Sequence, residues 1–247
     1  MSDPSVSPSL QVQLHPLINR LAEQILHIWQ EELELSAYVL PDDLGYVEGR
    51  LEGERLIIEN RCFQSQEFRK MHLELARAGS NLDILHCVMF PHLTYPLPMF
   101  GCDIVAGRGQ ISAAIVDLSP VESQLPQGHQ QALESLRSLT QSFSEKRELP
   151  EWGSIFSPYC LFIRPADDAE ADQFLRLASH YLRIHCQQAR QMDGSGDPKL
   201  SYAGQHRYCT QQQQNDRTRR VLEKAFGPAW AERYMTTVLF DLPPSPL

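Results

Sequence analysis

The chain has 247 residues with a formal net charge of −9 at pH 7, and 42% of its residues are hydrophobic. The negative charge disfavours nucleic acid or an anionic membrane surface as a partner. The longest apolar runs are too short to cross a bilayer, and no signal-peptide pattern opens the chain, so we expect a cytoplasmic protein. The length suits a single domain over 1–247, with a disordered leader at 1–10.

Motifs for tightly bound cofactors are missing from the sequence. The six cysteines, at positions 62, 87, 102, 160, 186 and 209, are too widely spread for zinc-finger or iron–sulfur spacing. There is no GxGxxG after a strand, no GxxxxGK(S/T), no HExxH and no GxSxG. The sequence therefore predicts no bound metal, nucleotide or flavin, and it predicts buried free thiols in a reducing compartment.

In chain order, the first half of the sequence predicts a helix followed by strands. Apolar residues at helical spacing predict an amphipathic helix over 14–34, and alternation predicts strands over 44–64, broken at 52–54. Three apolar strands follow between Phe68 and Gly107, in the stretches RKMHLELA, LDILHCVMF and FGCDIVAG. A tight turn at Gly107-Arg108-Gly109 then leads into a further strand at 111–118.

The second half of the sequence is predominantly helical in pattern. Helical periodicity predicts helices over 129–146 and 169–192, separated by a strand at 157–165. The segment 193–214 opens with Gly194, Gly196 and Pro198 and ends in a run of four glutamines, and it is predicted to be a loop. Antiparallel strands flanked by helices early and late in the chain indicate an α+β sandwich.

Each of the three central strands carries ionisable residues where buried apolar ones are expected. They are His72 and Glu74 on the first strand, His86 on the second and Asp103 on the third. Burying such groups without partners is costly. Groups found in such positions are therefore candidates for chemistry.

The register of the strands decides whether these groups meet. Paired residues in an antiparallel hairpin share a face, and their position numbers have a constant sum. With a first turn centred on Gly79, His72 would lie opposite His86, and Glu74 would lie opposite Ile84. Both pairs would then project from the same side of the sheet.

A second turn within the 91–98 loop would place His86 opposite Asp103, so that all four groups converge on one face. Plainer interpretations remain open for each residue alone. His72 and Glu74 could line a solvated sheet face, and RKMHLELA is also rich in helix formers. His86 could be a hydrogen-bonded core histidine. A free carboxylate at Asp103 is unexpected in so apolar a strand, and the convergence favours function.

The sequence RTRR near the carboxyl end stands out in an acidic chain. Asn215 or Asp216 is expected to cap a helix here, and Pro228 is expected to open a last helix through Tyr234. The capped helix carries four cations, Arg217, Arg219, Arg220 and Lys224. They could form a solvated face paired to Glu223, a carboxylate-binding site, or a docking patch for an acidic protein.

Seven stretches of the sequence resemble the ferredoxin-dependent bilin reductase family, namely LGYVEGRLEGE, RKMHLELA, LDILHCVMFP, FGCDIVAG, RELPEWG, RRVLEKAFG and WAERYM. The resemblance runs from about Pro41 to Pro165 and resumes from about His206 to Asp241. The leader, the segment 121–145 and the loop after Met192 are less similar, as surface segments tend to be.

The resemblance implies a three-layer α/β/α sandwich, with biliverdin IXα bound between the sheet and the carboxyl-terminal helices. It implies a monomeric enzyme that reduces biliverdin by four electrons to phycocyanobilin and takes electrons singly from reduced ferredoxin. It also implies that no metal or flavin is bound. Because each one-electron step adds charge to the bilin, buried acids of tuned pKa must supply protons.

By resemblance, the four polar residues of the central strands are the proton donors and their partners. Asp103 is implied to be the central donor near the pyrrole nitrogens, with His86 as its hydrogen-bonding partner. Glu74 is implied to protonate the exocyclic vinyl group that is reduced first, with His72 positioning it. The sequence does not separate donor from relay, because coupled groups titrate together.

The resemblance also divides the cations between two tasks. Arg147 and Arg217 are implied to bind the two propionates of biliverdin. Asn215 is implied to line the pocket nearby, between apolar walls formed by Ile84 and Val221. Arg217 departs from the family pattern, which has lysine here; arginine can bind a propionate bidentately but does not release a proton. The remaining cations are candidates for ferredoxin docking, namely Arg219, Arg220, Lys224 and Arg233.

Two other functions fit the same residues less well. A bilin carrier needs cations and apolar walls, but it does not need Glu74, His86 and Asp103 together. A bilin reductase of different regiochemistry would stop after two electrons, and the role of Glu74 distinguishes it from a four-electron enzyme.

Overall fold

The computed structural model describes residues 9–246 and is built around one antiparallel sheet of eight strands. In chain order the strands are β1 (Ser36–Ala37), β2 (Tyr46–Leu51), β3 (Glu54–Gln64), β4 (Phe68–Ala78), β5 (Leu82–Pro91), β6 (Met99–Gly107), β7 (Gln110–Ser119) and β8 (Leu161–Ile163). Their spatial order is β1-β3-β4-β5-β6-β7-β8, and β2 also pairs with β3. The sheet is therefore mostly a meander of sequence neighbours.

Helices cover both faces of this sheet. They are α1 (Pro16–Glu32), α2 (Gln127–Glu134), α3 (Arg137–Gln141), α4 (Asp168–Arg190), α5 (Pro198–Gln212), α6 (Asp216–Phe226) and α7 (Pro228–Tyr234). Short 3-10 helices lie at Leu10–Gln13 and Gly153–Ile155, and a π-helix at Met235–Leu239 continues α7. No helix within 9–246 is long and apolar enough to span a membrane.

Two separate apolar clusters hold the layers together. One sheet face packs against α1 and α4, and its cluster includes the fully buried Trp29 and Leu73. The other face packs against the carboxyl-terminal helices, and its cluster includes Val88, Tyr208 and Tyr234. Burial of each large apolar side chain contributes about 1.5 to 3 kcal/mol. The predicted three-layer α/β/α sandwich is confirmed.

Element boundaries are predicted less well than element types. The strand expected at 157–165 is only Leu161–Ile163, and the helix expected at 129–146 is two short helices that end at Gln141. The tight turn after Gly107 is confirmed, since Arg108 and Gly109 have φ values of 52° and 77° and Gly107 pairs with Gln110. Positive φ at both central residues is typical of a two-residue hairpin turn.

The predicted loop at 193–214 is wrong over most of its length, because it contains the helix α5. Asp197 caps this helix by accepting a hydrogen bond from the backbone N–H of Lys199 at 2.9 Å. Gly204 lies inside the helix, where a Cβ atom would collide with the backbone of Val121. The glycine thus allows close packing, and glutamine is a good helix former.

The leader prediction is partly wrong. Residues 1–8 lie outside the described residues. Leu10, however, is only 4% exposed and opens a 3-10 helix, so the last residue of the predicted leader is part of the fold.

Candidate active site

A continuous row of side chains crosses the sheet face that meets the carboxyl-terminal helices. Successive register pairs from β4 to β8 give this row as Glu74, His86, Asp103, Ile115 and Phe162. Directly paired residues project from the same face of a sheet. The two carboxyl groups and the imidazole between them are therefore immediate neighbours.

One of the two predicted registers is confirmed, since His86 pairs with Asp103. The other is wrong by two positions, because the first turn is centred one residue beyond Gly79. Glu74, rather than His72, lies opposite His86. A shift of two keeps every side chain on its face, because side chains alternate with a period of two. The prediction that all four groups project from one side is confirmed.

His86 and Asp103 form the most polar contact of the row. Nδ1 of His86 lies 2.5 Å from Oδ1 of Asp103, and 11% of the His86 side chain and 41% of the Asp103 side chain are exposed. Burial alone would lower the pKa of His86, but the Asp103 carboxylate outweighs it and raises that pKa. The carboxylate of Asp103 therefore favours the protonated form of the His86 imidazole.

Glu74 is the buried acid of the row, with only 7% of the residue exposed. Burial raises its pKa, although the charge of His86 and the hydroxyl of Tyr234 act in the opposite direction. The Tyr234 hydroxyl lies 2.5 Å from Oε2 of Glu74. A carboxyl group in this setting is readily kept neutral and can act as a proton donor.

His72 is a neutral imidazole. Burial, together with the positive charges of Lys70 and His86, holds its pKa well below the ordinary histidine value. Its Nε2 atom lies 2.7 Å from Oδ1 of Asn60, and its ring meets that of His86 edge-on at 5.8 Å. Nδ1 of His72 and Nε2 of His86 are buried without a hydrogen-bond partner within 9–246.

A half-buried apolar surface adjoins the row. Ile84 pairs with Val105, and Val105 pairs with Ala113. Ile84 and Val105 lie two residues along their strands from His86 and Asp103, and therefore on the same face of the sheet. Ile84, Val105 and Ala113 are partly exposed, as are Ile115 and Phe162 at the end of the row. We call these five residues the apolar floor. It is a surface of the sheet that the carboxyl-terminal helices leave partly open.

A cavity of about 470 Å³ adjoins one end of this surface. Leu82 of β5 and Val221 of α6 lie on its wall, together with Arg108, Arg220 and Lys224. Val221, predicted as an apolar wall, thus lines a cavity beside the floor that contains Ile84. The row of polar residues is not part of this cavity's lining.

The predicted propionate ligands occupy different settings. Arg147 lies with its guanidinium carbon 5.3 Å from the centre of the Phe162 ring, and it donates to the carbonyl oxygen of Ser112 at 2.8 Å. It therefore stands at the far end of the apolar floor. Arg217 is exposed and pairs with no acid among the described residues. Asn215 caps α6, as predicted, by accepting hydrogen bonds from the backbone N–H groups of the helix's first turn.

The four cations predicted to dock ferredoxin all form ion pairs within the chain. The pairs are Arg219 with Glu232 at 2.5 Å, Arg220 with Asp216 at 3.2 Å, Lys224 with Glu52 at 3.1 Å, and Arg233 with Asp43 at 2.5 Å. The alternative pairing with Glu223 is wrong, since no described ion pair includes it. Exposed pairs of this kind contribute little to stability. The side chains of Arg220, Lys224 and Arg233 are 72%, 62% and 47% exposed, whereas that of Arg219 is 27% exposed. Their docking role stays a prediction.

Sequence reasoning missed several residues that hold the site together. Asn60 lies opposite Glu74 on β3, and extending the register arithmetic by one strand would have found it. Lys70 is fully buried on β4, where it donates to the carbonyl of Val238 and to the carboxylate of Asp241. Asp241 and Tyr234 gave no signal, because only the docking of the carboxyl-terminal segment brings them to the sheet.

Metal ligands and disulfides do not feature in the described structure. Within 9–246, no group of three or more His, Cys, Asp or Glu side chains is arranged to hold a metal ion. All six cysteines are free; four are buried, and Cys62 and Cys160 are half-buried.

Comparison with known proteins identifies the class of enzyme to which the chain belongs. The family model described as ferredoxin-dependent bilin reductase matches residues 22–241. This chain belongs to that family and is an oxidoreductase.

Two individual proteins of known name and one solved structure are similar to this chain over most of its length. The chain is 55% identical to a phycocyanobilin:ferredoxin oxidoreductase of Trichodesmium erythraeum, over 96% of this chain and 97% of the relative. It is 57% identical to the protein of the same name from Synechococcus elongatus, over 97% of this chain and 98% of the relative. Among solved structures, tomato phytochromobilin synthase in complex with biliverdin has the same fold, with a TM-score of 0.71 and 17% identity over 90% of this chain and 82% of the tomato chain.

Proposed function

We propose that this protein reduces biliverdin IXα by four electrons to phycocyanobilin, taking electrons one at a time from reduced ferredoxin and one proton with each. The observation that carries the proposal is the row of Glu74, His86 and Asp103 beside the apolar floor. A flat, largely apolar tetrapyrrole suits a surface of this kind with a few polar groups at its edge. The names of the two relatives at 55% and 57% identity contain phycocyanobilin and ferredoxin, which supports this bilin and this electron donor.

The proton donors follow from the electrostatics of the row. Each added electron makes the bilin more basic, and a nearby acid then neutralises the added charge. We assign the central proton transfer to Asp103 and His86, whose hydrogen bond borders the apolar floor. We assign protonation of the exocyclic vinyl group to Glu74, a buried acid with a raised pKa, and the positioning of Glu74 to His72.

The substrate's two carboxylates need cations. Arg147 and Arg217 are the proposed ligands of the propionates, because neither forms an ion pair with an acid among the described residues. Asn215 borders Arg217 and is proposed to line the pocket, with Ile84 and Val221 as apolar walls. Ferredoxin is proposed to dock at the cations of α6 and α7. We propose that the protein works as a monomer in the cytoplasm, without a bound metal or flavin.

An anaerobic absorbance time course tests this function. The protein is mixed with biliverdin IXα, ferredoxin and a ferredoxin-reducing system, and the extracted pigment is separated by chromatography. We expect transient radical absorbance followed by phycocyanobilin, and no conversion when ferredoxin is left out. A two-electron product would contradict the assigned regiochemistry. A bound but unchanged bilin would contradict catalysis and favour a carrier.

A further inference from the structure

Tyr234 connects the buried acid of the site to a neighbouring strand. The residue is fully buried at the end of α7, directly before the π-helix Met235–Leu239. Its hydroxyl oxygen lies 2.5 Å from Oε2 of Glu74 and 2.9 Å from Oδ1 of Asn60. π-helical turns are frequent at functional sites. One hydroxyl proton thus faces two oxygen atoms, and it can be donated to only one of them at a time.

Asn60 has a fixed orientation. Its Nδ2 atom donates to the carbonyl oxygen of Leu44 at 2.7 Å, so its Oδ1 atom must point towards Tyr234 and His72. Oδ1 lies 2.7 Å from Nε2 of His72. An amide oxygen only accepts hydrogen bonds, so Nε2 of His72 must carry a proton. Asn60 therefore sets the tautomer of His72 and offers the Tyr234 hydroxyl an alternative acceptor.

We infer that Tyr234 and Asn60 are positioning residues that switch their hydrogen bonds with the protonation state of Glu74. When Glu74 is neutral, its O–H donates to the Tyr234 oxygen and Tyr234 donates to Asn60. When Glu74 has given its proton to the substrate, the Tyr234 hydroxyl turns and donates to the new carboxylate. This inference rests on the proposed function, in which Glu74 supplies that proton.

The switch lets a buried carboxyl group lose a proton without being left as an unpaired charge. An unpaired buried carboxylate is strongly disfavoured, whereas a hydrogen bond to the charged form stabilises it. The ring of Tyr234 has a separate packing role, since it stacks on Trp230 at 4.7 Å with an interplanar angle of 15°. A Tyr234→Phe substitution keeps this stacking and removes only the proton switch.

Infrared titration of the bilin-free protein tests the switch without requiring turnover. The carboxylic C=O band of Glu74 is identified by its loss in Glu74→Gln. In Tyr234→Phe the carboxylate loses its donor, so we expect the band to persist to higher pH than in the parent. In Asn60→Ala the neutral form loses the acceptor for the Tyr234 hydroxyl, so we expect the band to disappear at lower pH.

A purely structural role of Tyr234 and Asn60 would not move the titration of the Glu74 band in opposite directions in the two variants. Tyr181→Phe is the matched control, because Tyr181 is a fully buried tyrosine on the other sheet face whose hydroxyl donates to the Tyr159 carbonyl at 2.8 Å. This control should leave the Glu74 band unchanged. Unchanged titration in Tyr234→Phe, a shift in the same direction in Asn60→Ala, or an equal shift in Tyr181→Phe would each overturn the inference.

Product analysis provides a second readout. Loss of a hydrogen bond to a charged group should raise the ratio of two-electron to four-electron product on the order of tenfold in Tyr234→Phe. In a Glu74→Gln background the same substitution should change nothing further, because the two residues act as one unit. An additive effect in the double variant would overturn the coupling. If the parent makes no four-electron product while the infrared shifts are intact, the coupling is supported and the proposed function fails.

Discussion

His86 and Asp103 face each other across β5 and β6, with Nδ1 of His86 2.5 Å from Oδ1 of Asp103. Asp103 keeps 41% of its side chain exposed, whereas His86 keeps 11%. The carboxylate therefore borders the partly open floor, and the imidazole lies towards the protein interior, against the ring of Phe240 at 5.4 Å. In this pair Asp103 is the group positioned to meet a substrate, and His86 stabilises it.

Replacing Asp103 by Asn should separate binding from catalysis. The amide keeps the shape of the side chain but neither carries the charge that raises the pKa of His86 nor transfers a proton. We expect biliverdin binding within about threefold of the parent and turnover reduced on the order of 100-fold or more, with the one-electron-reduced bilin accumulating. Binding is measured by absorbance titration and the radical by electron paramagnetic resonance. Turnover near the parent rate would remove Asp103 from the mechanism.

Replacing Glu74 by Gln should stop the reaction after the first two electrons. Glutamine fills the same space and still accepts from Tyr234, but it has no acidic proton to give to the vinyl group. We expect a two-electron product to account for nearly all pigment in the chromatogram. Normal phycocyanobilin formation by this variant would contradict the assigned role of Glu74.

The two proposed propionate ligands should affect binding rather than chemistry. Arg147→Met and Arg217→Met each remove a charge-assisted hydrogen bond, so we expect Kd for biliverdin to rise roughly tenfold with a nearly unchanged radical lifetime. Arg217→Lys should restore most of the affinity. Arg20→Met is the matched control, because Arg20 pairs with Asp172 on the helices of the opposite layer. An equal loss of affinity in this control would rule out a specific propionate contact.

The buried histidines His129 and His185 should make the fold sensitive to acid. Their rings contact each other at 5.6 Å between α2 and α4, and burial lowers the pKa of His129 from 6.5 to about 4 and that of His185 as well. Below pH 6.5 these imidazoles bind protons in the unfolded chain but stay neutral in the folded protein. Their contribution to stability is therefore fully present above that pH and is lost as pH falls towards about 4.

Urea unfolding at several pH values measures this effect. For His129 alone, the loss between neutral pH and pH 4 should amount to about 3 kcal/mol. His129→Gln should flatten the pH dependence. His27→Gln is the control, since the side chain of His27 is 58% exposed. A slope that is unchanged in His129→Gln would contradict the assignment.

Lys70 and Asp241, which form an ion pair, should contribute unequally to stability. Asp241→Ala leaves Lys70 buried without its counter-ion, and we expect this variant to lose about 3 to 5 kcal/mol of unfolding free energy. Lys70→Met should be milder, because Arg69 still donates to Oδ2 of Asp241 at 2.5 Å. Chemical denaturation compares the two. A smaller loss in Asp241→Ala than in Lys70→Met would contradict this account of the ion pair.

Some features of the site depend only on local sequence, whereas others depend on the exact position of a turn. The face shared by His72, Glu74, His86 and Asp103 was predictable, because it depends only on strand alternation and on the parity of the turns. The partner of Glu74 was not, since a turn shifted by one residue changes the pairing without changing the face. The helix α5 was not predicted, because glycines and glutamines occur both in loops and in helices, and here the packing of α5 decides between the two.

The meander of the central strands, the apolar pattern of their buried faces and the polar residues that interrupt it were predictable, because they depend on local spacing along the chain. Three contacts were not predictable, namely those of Tyr234 with Glu74, of Asp241 with Lys70 and of Phe240 with His86. These contacts join residues more than 150 positions apart, and they form only when the carboxyl-terminal helices dock on the sheet. Burial and hydrogen bonding between distant segments do not produce a periodic pattern in the sequence of either segment, so such contacts cannot be predicted from spacing.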